Sequence, residues 1–188
     1  RRVLFRSGLN INGSNDDDTL TVDLSAGSPI PAGSINFAGS SQTTADSLRV
    51  TSAGASKATY TPSGTTSGSG KIVIDGGTIN MTGTEPVSFN GLNSLTVVTP
   101  NGADNLTVDS PSANVDRVAG TSGGIAFSSV SFSAVANVTI DAATNGGTAA
   151  DSVTFSGNLS AAASSLTVNT GNGDRKSTRL NSSHIPLS

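Results

Sequence analysis

One short phrase recurs along the chain, in which a polar residue, an aliphatic, a second polar residue and a second apolar residue alternate. It reads Thr19-Leu20-Thr21-Val22, Ser47-Leu48-Arg49-Val50, Ser94-Leu95-Thr96-Val97 and Asn105-Leu106-Thr107-Val108, then Asn137-Val138-Thr139-Ile140, Ser152-Val153-Thr154-Phe155 and Ser165-Leu166-Thr167-Val168. Apolar residues at every second position mark a strand with one buried face. The alternation and its flanking turn residues predict strands at Thr19–Leu24, Ser34–Ala38, Ser47–Thr51, Ala58–Thr61, Lys71–Asp75, Thr78–Thr82, Val87–Phe89 and Ser94–Thr99. Further strands are predicted at Asn105–Ser110, Arg117–Ala119, Gly124–Val130, Asn137–Asp141, Ser152–Ser156 and Ser165–Asn169. Apolar residues nowhere follow helical spacing, and the Gly, Thr, Ser and Asn content penalises a helix throughout. Pro62 to Gly70, PSGTTSGSG, reads as an exposed loop.

The strands themselves repeat. Val87–Val97 aligns without gaps to Val130–Ile140 at an offset of 43 residues, and Ile35–Gly39 to Ile79–Gly83 at 44. Asp18–Asp23 aligns to Asp104–Asp109 at 86, and Thr78–Met81 to Gly124–Phe127 at 46. A module of 43 to 47 residues is the length expected of a solenoid or array. The fold expected is therefore all-β: a parallel β-helix, or β-solenoid, in which each module supplies two coils of roughly 20 to 24 residues. Leu95, Val97, Leu106, Val108, Val138 and Ile140 then point inward, and Thr96, Thr107 and Thr139 outward. The alternative is a tandem β-sandwich, whose strands would pair as antiparallel hairpins.

The two ends break the pattern. Residues 174–184, DRKSTRLNSSH, are similar to the translation of a common short-read sequencing adapter, and residues 1–7, RRVLFRS, resemble its reverse complement. That resemblance assigns 1–7 and 174–188 to non-native sequence and leaves 8–173 as the repetitive segment. It also changes the charge. The whole chain carries ten Lys and Arg against thirteen Asp and Glu. Within 8–173 only Arg49, Lys57, Lys71 and Arg117 oppose twelve carboxylates, a net charge of −8. Such a surface repels phosphate backbones, so nucleic acid is not an expected partner. The chain has no Cys or Trp and one Tyr, and no apolar run approaches the roughly 20 residues of a membrane helix. With few large side chains it builds a thin, repetitive core, as stacked coils do.

Candidate chemistry centres on acidic turns. Asn12-Gly13-Ser14-Asn15-Asp16-Asp17-Asp18-Thr19-Leu20 resembles the glycine- and aspartate-rich nonapeptides of the repeats-in-toxin family, with echoes at Asn101–Leu106 and Asn145–Val153. The resemblance implies calcium held between coils, with Asp16, Asp17, Asp18 and Asp104 as candidate ligands, since calcium takes six to eight oxygens. Against it, the tandem glycine-aspartate spacing is incomplete, and successive acidic turns lie a module apart, too far along the chain to share an ion. Side-chain caps on strand turns account for the same residues, so no cofactor is expected. Asn80, Asn105, Asn137 and Asn158 fit the glycosylation sequon, but the first three lie within strand phrases. Glu85 is the sole glutamate, and the one histidine, His184, lies in the C-terminal adapter-like run. Glycoside cleavage needs two positioned carboxyl groups, and nothing in this spacing supplies them, so no catalytic residue is expected.

In period and composition the whole segment resembles the repetitive parts of large bacterial surface and secreted proteins, namely adhesins and autotransporter passengers. This implies a non-catalytic stalk or adhesive segment outside the cell. Its partners would be neighbouring repeats of its own chain, surface glycans or other cells, and it would not span a membrane. Two alternatives remain: a fragment of a parallel β-helix enzyme acting on polysaccharide, and a calcium-stabilised secreted repeat.

Overall fold

The computed structural model describes residues 7–39, 45–171 and, by backbone alone, 176–179. In chain order the strands are β1 (Leu9–Asn12), β2 (Thr19–Asp23), β3 (Ile35–Ala38), β4 (Asp46–Thr51), β5 (Lys57–Pro62), β6 (Gly70–Ile74), β7 (Gly77–Thr82), β8 (Thr84–Asn90) and β9 (Ser94–Val98). They continue as β10 (Asp104–Ser112), β11 (Val115–Ser122), β12 (Ile125–Ala126), β13 (Val130–Ser133), β14 (Val135–Asp141), β15 (Ser152–Ser156), β16 (Ala163–Asn169) and β17 (Lys176–Arg179). No helix occurs among the described residues. The chain is all-β, and every predicted strand has a counterpart. β1 and β17 were not expected, and the predicted strand at Gly124–Val130 divides into β12 and the start of β13.

The strands form two sheets. Sheet A runs β1-β3-β7-β6-β5-β9-β14-β16, and sheet B runs β17-β15-β10-β11-β13-β8-β4-β2, with β12 beside β11. Their inner faces share one apolar core. Among the described residues ten pairings are parallel and five antiparallel. Pairing is thus mostly parallel, as expected of stacked coils, but the antiparallel pairings make both sheets mixed. The cause is local turn chemistry. β6 runs against β5 and β7, and the β6–β7 turn is Asp75-Gly76, with φ of 48° and 84°. β11 runs against β10 and β13 and ends at Gly123-Gly124, with φ of 58° and 82°. Two successive residues at positive φ make the tight hairpin turn that matches strand twist, and Asp-Gly and Gly-Gly are the pairs that adopt it.

Within the sheets the alternation becomes ladders. Sheet A carries one continuous inward ladder with a residue from every strand: Leu9, Ile35, Ile79, Ile72, Tyr60, Val97, Ile140 and Val168. Sheet B carries Leu20, Leu48, Val87, Val130, Val118, Val108 and Phe155, and its register then reaches Arg179. Between the end strands these side chains are buried, except Phe155 of β15, which is partly buried. Leu95, Val97, Leu106, Val108, Val138 and Ile140 are all within the core, while Thr96, Thr107 and Thr139 are half-buried or exposed on the outer faces. Burying each such aliphatic contributes roughly 1.5 to 3 kcal/mol, which offsets the backbone entropy of ordering short strands. On the outer face of sheet A, Asn80 donates to Asn36 at 2.8 Å and Asn36 to Asn10 at 2.7 Å, a side-chain ladder that runs with the backbone one.

The sequence repeats map onto stacked strands unevenly. The 43-residue repeat is β8 on β13 together with β9 on β14, and the 44-residue repeat is β3 on β7. The 86-residue repeat does not stack: the Leu20 ladder meets Val108 rather than Leu106, two residues out of register. The Pro62–Gly70 segment joins β5 to β6. Only Thr65 to Ser67 are exposed, while Pro62, Gly68 and Ser69 are buried, which corrects the reading of a wholly exposed loop.

Candidate functional site

Aspartates open several strands of sheet B, and their register brings them together in pairs. Thr19 pairs with Ser47, which sets Asp18 beside Asp46. Asn105 pairs with Ser152, which sets Asp104 beside Asp151. Both corners use the same device: Asp18 N–H donates to Asp46 Oδ1 at 2.7 Å, and Asp104 N–H to Asp151 Oδ1 at 3.0 Å. A carboxylate thereby satisfies a strand-end amide of the neighbouring strand, where the regular ladder has not yet begun. Stacking thus brings residues 104 and 151, 47 apart in the chain, side by side.

The four aspartates singled out from the sequence do not converge. Asp16 is exposed, and its own amide donates to Ser14 Oγ at 3.2 Å. Asp17 Oδ1 accepts from Ala45 N at 3.1 Å, and Asp18 Oδ2 accepts from Ser14 N at 2.6 Å and Ser14 Oγ at 3.0 Å. Asp104 lies in β10, several strands across sheet B from β2. Among the described residues no three His, Cys, Asp or Glu side chains stand where they could hold one metal ion.

Asp104 is the most unusual of the four. It is 2% exposed, its Oδ2 accepts from Thr99 Oγ1 at 2.6 Å, and its Oδ1 has no hydrogen-bond partner. Burial, the largest cause, raises its pKa above its ordinary value, and the Asp151 charge adds to it. The Thr99 and Ser122 hydroxyls work in the opposite direction. Such burial makes ionisation of the carboxyl more costly than it is in water. The pair is sealed, since Asp151 is only 4% exposed, so no glycosidic bond can reach it. Its chemistry is internal, joining β10 to β15.

Two further buried polar groups were not anticipated. Asp116 takes an inward position opposite Phe132, on a row that otherwise runs Val22, Val50, Phe89 and Phe132. Its Oδ1 accepts from the Ser110 hydroxyl and, at 2.8 Å each, from Ser160 N and Ser160 Oγ. It thus pins the 159–162 segment against β11. The Tyr60 hydroxyl is buried with no partner in hydrogen-bond geometry. Burial holds its pKa well above the usual phenol range. Ser128 pulls the other way without reaching it in hydrogen-bond geometry, its own hydroxyl donating to Thr84 O at 2.6 Å, and the Glu85 charge adds to the rise. A buried polar residue amid alternating aliphatics was the available sequence signal: Val115-Asp116-Arg117-Val118 breaks the apolar-polar phase at Asp116.

Glu85 is exposed and accepts from Ser67 Oγ at 2.9 Å. The four sequon asparagines, Asn80, Asn105, Asn137 and Asn158, are all exposed. Set against family models, curated proteins and solved structures, the chain matches none.

Proposed function

We propose that this chain is a structural, non-catalytic segment of a large extracellular bacterial surface protein, wound as a β-solenoid and serving as a stalk or adhesive repeat. One observation carries the reading: a single apolar ladder takes one residue from each of the eight strands of sheet A. The chain feeds it by passing repeatedly between the sheets, β1 to β2 to β3 to β4 and again β14 to β15 to β16. That passage is the path of a coil, with β6 and β11 inserted as reversals. The polar groups with perturbed environments are spent on corners and core, and the outer faces carry Thr, Asn and Ser. Neighbouring repeats of the same chain, surface glycans or other cells are the partners such a segment would meet.

Residues 1–7 and 174–188 are, on this proposal, translated adapter. Support comes from Arg179, which falls at the register position that sheet B otherwise fills with aliphatic or aromatic residues. Residues 1–6, 174, 175 and 180–188 lie outside the described residues. Sequencing the coding DNA tests this directly, because codons unlike the adapter at either end would sink it.

Solution scattering tests the winding: eight strands at about 4.8 Å give a stack about 34 Å long, and a markedly flatter particle would refute it. Beads coated with the protein, applied to glycan arrays and bacterial cells, separate adhesion from passive spacing. Release of reducing sugar from acidic polysaccharides by the purified chain would overturn the non-catalytic reading.

A further inference from the structure

We infer that Asn101 is a self-modification site, where the chain's own backbone expels the side-chain amide as ammonia and the resulting carboxylate frees the Pro62–Gly70 segment. An asparagine followed by glycine is open to this attack because glycine has no Cβ to hold its nitrogen away from the side chain. The Gly102 nitrogen gives up its proton to water and forms a bond to Asn101 Cγ. The Cγ–Nδ2 bond breaks, Nδ2 takes a proton back from water, and ammonia departs from a cyclic imide. One water then opens the ring at either carbonyl, giving aspartate or isoaspartate, so each event consumes one water and releases one ammonia.

The fold selects this step among its equals. Asn-Gly occurs at Asn12, Asn90, Asn101 and Asn145 among the described residues, and Asn172-Gly173 lies outside them. Gly13 N donates to Ala38 O at 2.7 Å, Gly91 N to Ser133 O at 3.1 Å and Gly146 N to Ala143 O at 3.4 Å. Gly102 N donates to no group among the described residues. A bonded amide must first come free, which slows the attack by about fivefold for a bond of ordinary strength. Asn101 is half-buried in the turn between β9 and β10, within reach of water. The glycine is also required there: a Cβ on Gly102 would lie 2.6 Å from Gly146 O and 2.8 Å from Ala149 Cβ, in the turn stacked beside it. The close packing of the two turns thus brings the reactive step with it.

The product cannot keep the contacts of the asparagine. Asn101 Nδ2 donates to Gly64 O at 3.0 Å and to Ser122 O at 3.4 Å. The side chain fits closely between two glycines, since a Cβ on Gly64 would lie 2.8 Å from Nδ2 and one on Gly123 3.0 Å from Asn101 Cβ. Deamidation turns the donor into a carboxylate oxygen facing two carbonyl oxygens, so a contact that bound now repels. It also adds negative charge beside Ser122, whose hydroxyl already acts on the buried Asp104. The far end of the Pro62–Gly70 segment has ties of its own, Thr84 N to Gly68 O at 2.7 Å and Ser67 Oγ to Glu85 Oε1 at 2.9 Å. Loss of the Asn101 tie therefore frees residues 63–66 first.

The test ages the full chain at mildly alkaline pH, folded in buffer and unfolded in urea, and follows each Asn-Gly step by peptide mass spectrometry. In urea all the steps should react at similar rates. In the folded chain Asn101 should lead Asn12 and Asn90 by about fivefold or more, with Asn145, whose glycine makes the longest of the three bonds, in between. The deamidated fraction, separated by ion exchange, should be cut by subtilisin within residues 63–66 about fivefold faster than fresh chain, with its circular dichroism unchanged. Asn101→Asp carries the charge from the start and should be cut at the faster rate; should it fail to fold, the aged fraction supplies the same measurement. Reaction at Asn101 no faster than at Asn12 and Asn90 in the folded chain would overturn the inference, as would Asn145 reacting first. So would a deamidated fraction whose residues 63–66 are cut no faster than those of fresh chain.

Discussion

Asp104→Asn probes the acidic corner with a change of one atom. The asparagine keeps an oxygen to accept from Thr99 Oγ1, now 2.6 Å from Asp104 Oδ2, and removes the charge from a carboxyl that is 2% exposed. Two effects oppose. Replacing a charge-assisted hydrogen bond by a neutral one costs about 1 kcal/mol. Relieving a buried charge whose Oδ1 has no partner gains about 1 to 3 kcal/mol, and the new amide N–H₂ has the Asp151 carboxylate nearby to receive it. Relief wins, so the variant should be as stable as the wild type at pH 7 or more stable by up to about 2 kcal/mol. The pH dependence gives the sign independently. Because burial raises the folded-state pKa of Asp104, its favourable contribution is present in full below the unfolded value of about 3.9 and is lost as pH rises through the folded value. The advantage of the variant should therefore open between about pH 4 and neutrality and shrink toward zero, or reverse, in acid. Urea melts at half-unit steps from pH 3.5 to 7.5 measure it. A variant destabilised by more than about 1.5 kcal/mol at pH 7, or a difference that ignores pH, would refute the reasoning.

Three other substitutions test the remaining supports. Leu95→Ala leaves a cavity in a thin core, where Leu95 is fully buried between Ala58 and Val138, and should cost about 2 to 5 kcal/mol in a denaturant melt. Gly39→Ala should cost about 2 kcal/mol or more, because a Cβ there overlaps both Gly83 O and the Asp46 carboxylate; a neutral result would mean that corner is looser than its geometry. Arg117→Ala removes a half-exposed pair with Asp109, bonded at 3.0 Å and 2.6 Å, and should cost under about 1 kcal/mol, with most of the effect gone in 1 M salt.

Strand positions were legible because alternation is a local property: Leu95 and Val97 face in and Thr96 faces out whichever strand lies alongside. Strand direction was not legible from that pattern, since a two-residue period reads the same for parallel and antiparallel neighbours. The missing signal was in the turns. Asp75-Gly76 and Gly123-Gly124 mark tight hairpins, but in a chain with 22 glycines they stand out only when flanked by strands of matching phase. β1 escaped notice because Leu9-Asn10-Ile11-Asn12 is a single short alternation outside the repeat. The acidic corners were half legible. Aspartates at strand starts were recognisable as caps, but the pairing of Asp104 with Asp151 depends on register across 47 residues, which no local pattern encodes.

That register also explains why the repeat measured 43 to 47 residues while its strands looked like units of half that length. Stacked strands at the ends of the sheets are 26 residues apart for Leu9 and Ile35, and 28 apart for both Thr19 with Ser47 and Asn137 with Ser165. In the middle the separations rise to 44 for Ile35 and Ile79, 43 for Val87 and Val130, and 47 for Asn105 and Ser152. Each long interval contains a reversal, β5–β6–β7 in sheet A or β10–β11–β13 in sheet B. The underlying step is thus 24 to 28 residues, and the apparent module is that step with an antiparallel meander inserted. The two meanders lie in opposite sheets and overlap in the strand order, so the height each adds on one side is matched by height added on the other. This matching keeps the two sheets equal at eight strands apiece along their main paths, and neither ladder is left facing a gap. A single meander without its counterpart would lengthen one sheet alone and expose two strands of apolar ladder. The pair is therefore one structural unit, although its halves are separated in sequence by β8 and β9.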